Sequence, residues 1–242
     1  MGWPGRQTAS TSGTIRRDDL PRPGRARGRI AAWMLILACC ACQTRNAGTR
    51  QTPLPYYNAP DFTPVWIDDP GTAGVRIPHT IGDFSLTDQE GNRITQQIFQ
   101  DKIHVADFFF TACPNLCPAL TGNMKRVQDA FRNDPEILLV SFSVMPWVDT
   151  VPRLKEYAGS HQIVPEKWHL LTGARAEIYD LARRSYFAEE QTAAPRDSAD
   201  FLHTERFILV DRTKRIRGIY NGTLPLEISR LIEDIALLKR EG

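Results

Sequence analysis

Apolar residues in this chain fall into three rhythms. Continuous runs at 103–110, 137–144 and 168–172 are short and rich in β-branched and aromatic residues, the pattern of strands covered on both faces. Helical spacing marks Leu120, Met124, Val127 and Phe131, which predicts a helix over 118–132. Pro118 suits its first turn, where a missing N–H costs nothing. Further helices are expected over about 151–160, capped by Asp149 or Thr150, over 174–186, and over 226–238 with one apolar face. A third rhythm is short and turn-bounded. Residues 84–87 and 93–95 flank a loop containing Gly91 and read as a β-hairpin. Residues 205–210 and 215–220 read as a strand pair turning at 211–214, whereas 187–200 has no clear order.

The order is therefore an N-terminal hairpin, then βαβαβα, then ββα. Strands alternating with helices predict an α/β layer fold with a mixed central sheet flanked by helices. Ligands in such folds gather at the carboxyl ends of strands.

The first third has a different character. Residues 1–29 hold seven Arg and two Asp and no apolar face, and read as disordered. Residues 30–41 are an apolar run of twelve. At 1.5 Å per residue it spans only about 18 Å, short of a ~30 Å hydrocarbon core. A basic flank and a short apolar stretch describe a secretory signal. Its ending, Leu37-Ala38-Cys39-Cys40-Ala41-Cys42, resembles a bacterial lipoprotein processing site, with Cys39 preceded by the better residues. Residues 43–76 are polar and proline-punctuated, as in an extended tether. Tyr56, Tyr57, Phe62 and Trp66 imply that part of it lies on the domain. The organisation expected is a leader at 1–42, a tether at 43–76 and a folded domain at 77–242, exported and held at a membrane on the periplasmic or extracytoplasmic side.

Net charge is +2, and the leader alone carries +5. The remainder is slightly acidic, so composition gives no reason to expect nucleic acid as a partner. Of five cysteines, three lie in the leader. The other two, Cys113 and Cys117, each precede a proline where the strand at 103–110 hands over to a helix. Partial positive charge at a helix N-terminus favours thiolate there. Three residues separate the pair, where thioredoxin-type dithiols have two. The step can still bring both sulfurs into a disulfide or onto one metal ion. Soft thiolates favour Cu(I), and zinc would want four ligands in a closed site. Among the histidines, His104 and His169 fall inside predicted strands, His79 and His161 in loops without an evident partner, and His203 just before the strand at 205–210. Each alone is more often structural than a ligand.

Cys113-Pro114-x-x-Cys117-Pro118 after an apolar strand, Pro146-x-x-Asp149-Thr150 after the next, and His203 before Phe207-Ile208-Leu209-Val210-Asp211 together resemble the Sco/SenC family, over about residues 78–240. Residues 217–222 look like that family's last strand and turn. The resemblance implies a thioredoxin-like fold, membrane tethering, and copper, Cu(I) or Cu(II), held by Cys113, Cys117 and His203. It implies a chaperone assisting assembly of the dinuclear copper centre in cytochrome c oxidase subunit II, by delivering copper, by reducing that subunit's cysteines, or both. Where many members have Asp-Pro, this chain has Met145-Pro146, whose thioether is read as packed rather than metal-bound. Asp200 is a weak candidate to orient His203. The alternative reading is a thiol–disulfide reductase in which Cys113 and Cys117 are the redox-active, catalytic pair and act on an exported partner. The upstream copper donor or reductant is not named by the sequence.

Overall fold

The computed structural model describes Gly2 and residues 53–113, 116–188 and 204–241. The apolar run at 30–41, the leader cysteines, Asp200 and His203 lie outside the described residues. Among the described residues, no helix is long and apolar enough to cross a membrane.

The elements are β1 (Tyr56–Tyr57), β2 (Pro64–Val65), α1 (Ala73–Arg76), β3 (Ser85–Thr87), β4 (Arg93–Thr95), β5 (Ile103–Phe109), α2 (Cys117–Ala130), β6 (Ile137–Ser143), α3 (Val151–Ser160), β7 (Trp168–Leu171), α4 (Arg175–Asp180), β8 (Arg206–Val210), β9 (Ile216–Asn221) and α5 (Pro225–Glu241). Seven strands form one sheet in the order β2-β1-β9-β8-β5-β6-β7. β5, β6 and β7 are parallel, and the other neighbours are antiparallel. The sheet is mixed and carries helices, as the element order predicts.

The continuous apolar runs have a physical outcome. Every residue of β5 and β6 is buried. Ile103, Val105 and Phe109 join Leu139 against α2, α3 and α5 on one face. Ala106, Phe108, Val140 and Phe142 pack on the other face with Ile178, Ala182 and the hairpin residues Phe84 and Leu86. The hairpin β3–β4 is a separate two-stranded sheet, joined to the main body by a bridge between Thr87 and Thr172. Its turn closes because the Asp88 carboxylate accepts the backbone N–H groups of Glu90 and Asn92, while Gly91 takes a φ of 85°.

Two expectations change. The helix predicted over 174–186 is α-helical only to Asp180; Leu181–Ser185 is a π-type turn, with Tyr186 N donating to Leu181 O. The stretch expected as an extended tether joins the sheet from its middle onward. Tyr56 and Tyr57 pair with Val65 and Pro64, and Tyr57 pairs with Ile216 of β9. Buried Leu54, Tyr56, Ile67, Ala73 and Ile77 hold it down. The buried Arg217 guanidinium donates to the carbonyls of Leu54 and Pro55, pairs with Asp211 and Glu241, and lies 3.9 Å from the Tyr56 ring centroid. The folded domain therefore reaches back to Leu54.

Candidate functional site

Strand directions place the carboxyl ends of β5, β6, β7 and β9 at one edge of the sheet. Because β8 runs the other way, its first residues lie at that edge too. The chain leaves β5 at Phe109 and turns at once. Cys113 N donates to Phe110 O, and Cys117 opens α2. Leu120, Met124 and Val127 bury the helix on the sheet, which fixes where its first turn sits. At the far side of α2's base, Asn123 Nδ2 donates to Gly222 O, and a Cβ on Gly222 would come within 2.6 Å of Leu120 and Phe207. Only glycine lets the β9–α5 turn approach α2 so closely.

Both cysteines are thiols; neither is in a disulfide. The Cys117 N–H donates to Cys113 Sγ across 3.4 Å, so the four-residue step does bring the two residues together. Their surroundings differ. Cys113 is half-buried, whereas Cys117 is 5% exposed and belongs to the apolar core. Burial pushes the Cys117 thiol up to about 12, against a hydrogen bond with the Phe110 backbone that favours the thiolate. The expectation that a helix N-terminus would favour thiolate at both sulfurs is thus corrected at Cys117, where burial raises the thiol.

Two carboxyl groups lie under this loop. Asp107 on β5 accepts a short hydrogen bond from Ser141 Oγ on β6, and Trp168 Nε1 donates to the same Ser141 oxygen. Burial raises the Asp107 carboxyl to about 7, with the Ser141 bond opposing. Asp149 is fully buried and does not cap α3. Thr150 takes the N-cap position without a side-chain cap bond. The Asp149 carboxylate instead accepts from Thr111 N, Thr111 Oγ1 and Ser143 Oγ. Sequence reasoning missed this role, because the bond joins positions 38 residues apart.

The histidines separate cleanly. His104 is fully buried, stacked on Phe99 at 3.7 Å, with Nε2 3.1 Å from Tyr186 Oη. His169 lies 3.4 Å from the Asp88 carboxylate. The two loop histidines do have partners: His79 Nε2 is 2.8 Å from Ser185 O and its ring stacks on Phe187, while His161 stacks on Tyr157. All four are thus engaged in ring stacking or polar contacts within the fold. Met145 packs against the second apolar face, as expected of a space-filling thioether. Among the described residues, no group of three His, Cys, Asp or Glu side chains could hold a metal ion. Among the described residues the loop offers two thiols, a pair that suits a soft ion.

Residues 75–239 match the SCO1/SenC family model, well over half of the chain. The chain belongs to the SCO1/SenC family. A similar relative is the SCO1 protein homolog of Bacillus subtilis (strain 168), 26% identical over 161 residues, which span 66% of this chain and 82% of that protein. Among solved structures, a SCO1/SenC family lipoprotein from Bacillus anthracis str. Ames aligns with a TM-score of 0.59 at 26% identity, covering 66% of this chain and 95% of that one. BsSco, a member of the Sco family of cytochrome c oxidase assembly proteins in which a disulfide switch was identified, aligns at 0.58 and 25% identity, covering 68% and 95%. Arabidopsis thaliana ScoI, solved with copper bound, aligns at 0.53 and 25% identity, covering 66% and 98%. The fold is thus the thioredoxin-like fold of the SCO1/SenC proteins. Residues 53–74, which carry β1 and β2, precede the part that matches the family model.

Proposed function

We propose that this SCO1/SenC chain is an exported, membrane-tethered copper-binding protein that assists assembly of the dinuclear copper centre of cytochrome c oxidase. The observation that carries this reading is the meeting of two thiols in one loop, with the Cys117 N–H on Cys113 Sγ, in a chain whose family includes structures holding copper. Cys113 and Cys117 supply two thiolates and His203 the third ligand. Two sulfurs and one imidazole leave a soft ion short of four ligands, and an incomplete shell can pass its ion on. Subunit II of the oxidase is the partner in this reading. A lipid on Cys39, or on Cys40 or Cys42, holds residues 43–53 at the membrane surface, in keeping with a lipoprotein among the structural neighbours. The domain organisation follows: leader to 42, a short tether, then the folded part. The test is copper titration of the reduced full chain, in which Cys113→Ser abolishes binding and His203→Ala weakens it.

A second reading is favoured by the inequality of the two sulfurs and by the disulfide switch identified in BsSco. Here the chain reduces a disulfide on an exported partner. The Cys113 thiolate attacks one partner sulfur, the other leaves as thiolate, and the Cys117 sulfur then displaces the mixed disulfide. Two electrons pass to the partner and the Cys113–Cys117 disulfide forms. This activity survives His203→Ala, which separates the two readings.

A further inference from the structure

Thr111 lies two residues before Cys113, at the base of the thiol loop, and both its backbone and its side chain are held by one carboxylate. Thr111 N donates to Asp149 Oδ1 and Oδ2 at 3.3 and 3.2 Å, and Thr111 Oγ1 donates to Oδ1 at 2.5 Å. The carboxylate is itself anchored. Ser143 Oγ, on the last residue of β6, donates to Oδ2 at 2.6 Å, and Ser143 sits opposite Phe109 in the parallel ladder. Arg153 on α3 closes the set. Its Nε donates to Thr111 Oγ1 at 2.5 Å and lies 3.8 Å from Asp149 Oδ1. The donors and acceptors agree: the Thr111 hydroxyl gives its proton to the carboxylate and accepts the guanidinium.

We propose that Asp149 is a positioning residue for the sulfur pair, acting through Thr111 to fix where Cys113 stands relative to Cys117. This rests on the proposed copper-binding reading, and it assigns the buried carboxylate a role that neither ligation nor helix capping gives it. Asp149 has no exposed surface, and all four hydrogen bonds described to its carboxylate come from Thr111 and Ser143 at the sheet tip. A buried charge is retained only when such partners surround it. Asp149 lies in the connection between β6 and α3, held by Ser143 at the end of one element and flanked by Arg153 of the other, so the thiol loop is tied to regular elements on both sides. Cys117 is fixed independently by its place in the first turn of α2 and its burial in the core. The Thr111 clamp sets the start of the segment that carries the other sulfur, alongside the Cys113 N–H on Phe110 O and the Cys117 N–H on Cys113 Sγ.

The decisive variant is Thr111→Val in the full chain, which keeps size and backbone N–H but removes the hydroxyl. Asp149→Asn tests the same link from the other side. Outer groups that orient ligands typically change metal affinity by about 10–100-fold. Copper affinity of the reduced Thr111→Val chain is expected to fall by that order, the thiolate-to-Cu(II) absorption to shift, and Thr111→Ser to restore both. Wild-type affinity and spectrum in Thr111→Val overturn the proposal, whether or not Asp149→Asn folds. If the wild-type chain binds no copper, the copper reading fails on its own. The positioning claim is then read from the rate at which iodoacetamide modifies Cys113 in the metal-free chain. A severalfold change in Thr111→Val, reversed in Thr111→Ser, supports it; an unchanged rate overturns it.

Discussion

The backbone N–H of Cys117 donates to the sulfur of Cys113 across 3.4 Å. A donor on one sulfur and a dry core around the other make the pair chemically unequal. Cys113 is half-buried, and Cys117 has its thiol pushed up to about 12 by burial. The thiolate is the reactive form, so modification follows thiolate fraction and access. Iodoacetamide treatment of the reduced, metal-free chain at pH 8, followed by peptide mass mapping, is expected to label Cys113 first and Cys117 at least about tenfold more slowly. Equal rates at the two sites would contradict the burial described for Cys117.

The ring of His104 has no exposed surface, and burial lowers its pKa to about 3. The folded state holds it neutral while the unfolded chain protonates it near the ordinary 6.5. Its contribution is therefore fully present above pH 6.5 and is lost as pH falls toward 3, by about 1.4 kcal/mol per pH unit in that window. His104→Phe removes the bond to Tyr186 Oη and lowers stability at pH 7 by about 1–2 kcal/mol. Urea midpoints measured at pH 7 and pH 4.5 should nonetheless differ less in His104→Phe than in the wild type.

Asp107 predicts the opposite slope. Burial raises its carboxyl to about 7, so the folded state prefers the protonated form. That contribution is complete below the unfolded value near 3.9 and is lost as pH rises through about 7. Asp107→Asn keeps an oxygen to accept the Ser141 hydroxyl without a charge to bury. The variant is expected to gain stability relative to wild type between pH 5 and pH 8. A gain that is the same at both pH values would show that the carboxyl is already ionised in the fold.

Arg217 ties the N-terminal segment to the domain through Leu54 O, Pro55 O, Asp211 and Glu241. Removing one partner of a buried, hydrogen-bonded ion pair typically costs about 3–5 kcal/mol. Arg217→Met is expected to lower stability by that order and to speed hydrogen exchange at Tyr57 N before it affects β5. Unchanged exchange at Tyr57 would mean that β1 is held by its backbone pairing alone.

Much of this was legible in the residues. Runs such as 137–144 carry enough apolar, β-branched character to declare a doubly covered strand, and the three motifs in their order point to the SCO1/SenC proteins. What the sequence hid has physical causes. β1 and β2 have two residues each and sit among prolines, so no periodicity marks them; they are strands because Arg217 and β9 receive them. The raised Cys117 thiol depends on how tightly α2 packs, which spacing does not encode. Asp149 looked like a helix cap because caps are local, whereas its partner Thr111 comes from another strand's end. Tyr186, at the end of a predicted helix, meets His104 edge-on, just after the widened turn at Leu181–Ser185 that local spacing does not mark.

The central claim is that Cys113, Cys117 and His203 hold copper as cargo. The most direct test is copper stoichiometry and absorption of the reduced full chain, compared with Cys113→Ser, Cys117→Ser and His203→Ala. The account predicts a single copper per wild-type chain, none in either serine variant, and weaker binding with a shifted spectrum in His203→Ala. Wild-type copper binding in Cys113→Ser, or an unaltered affinity and spectrum in His203→Ala, would contradict it.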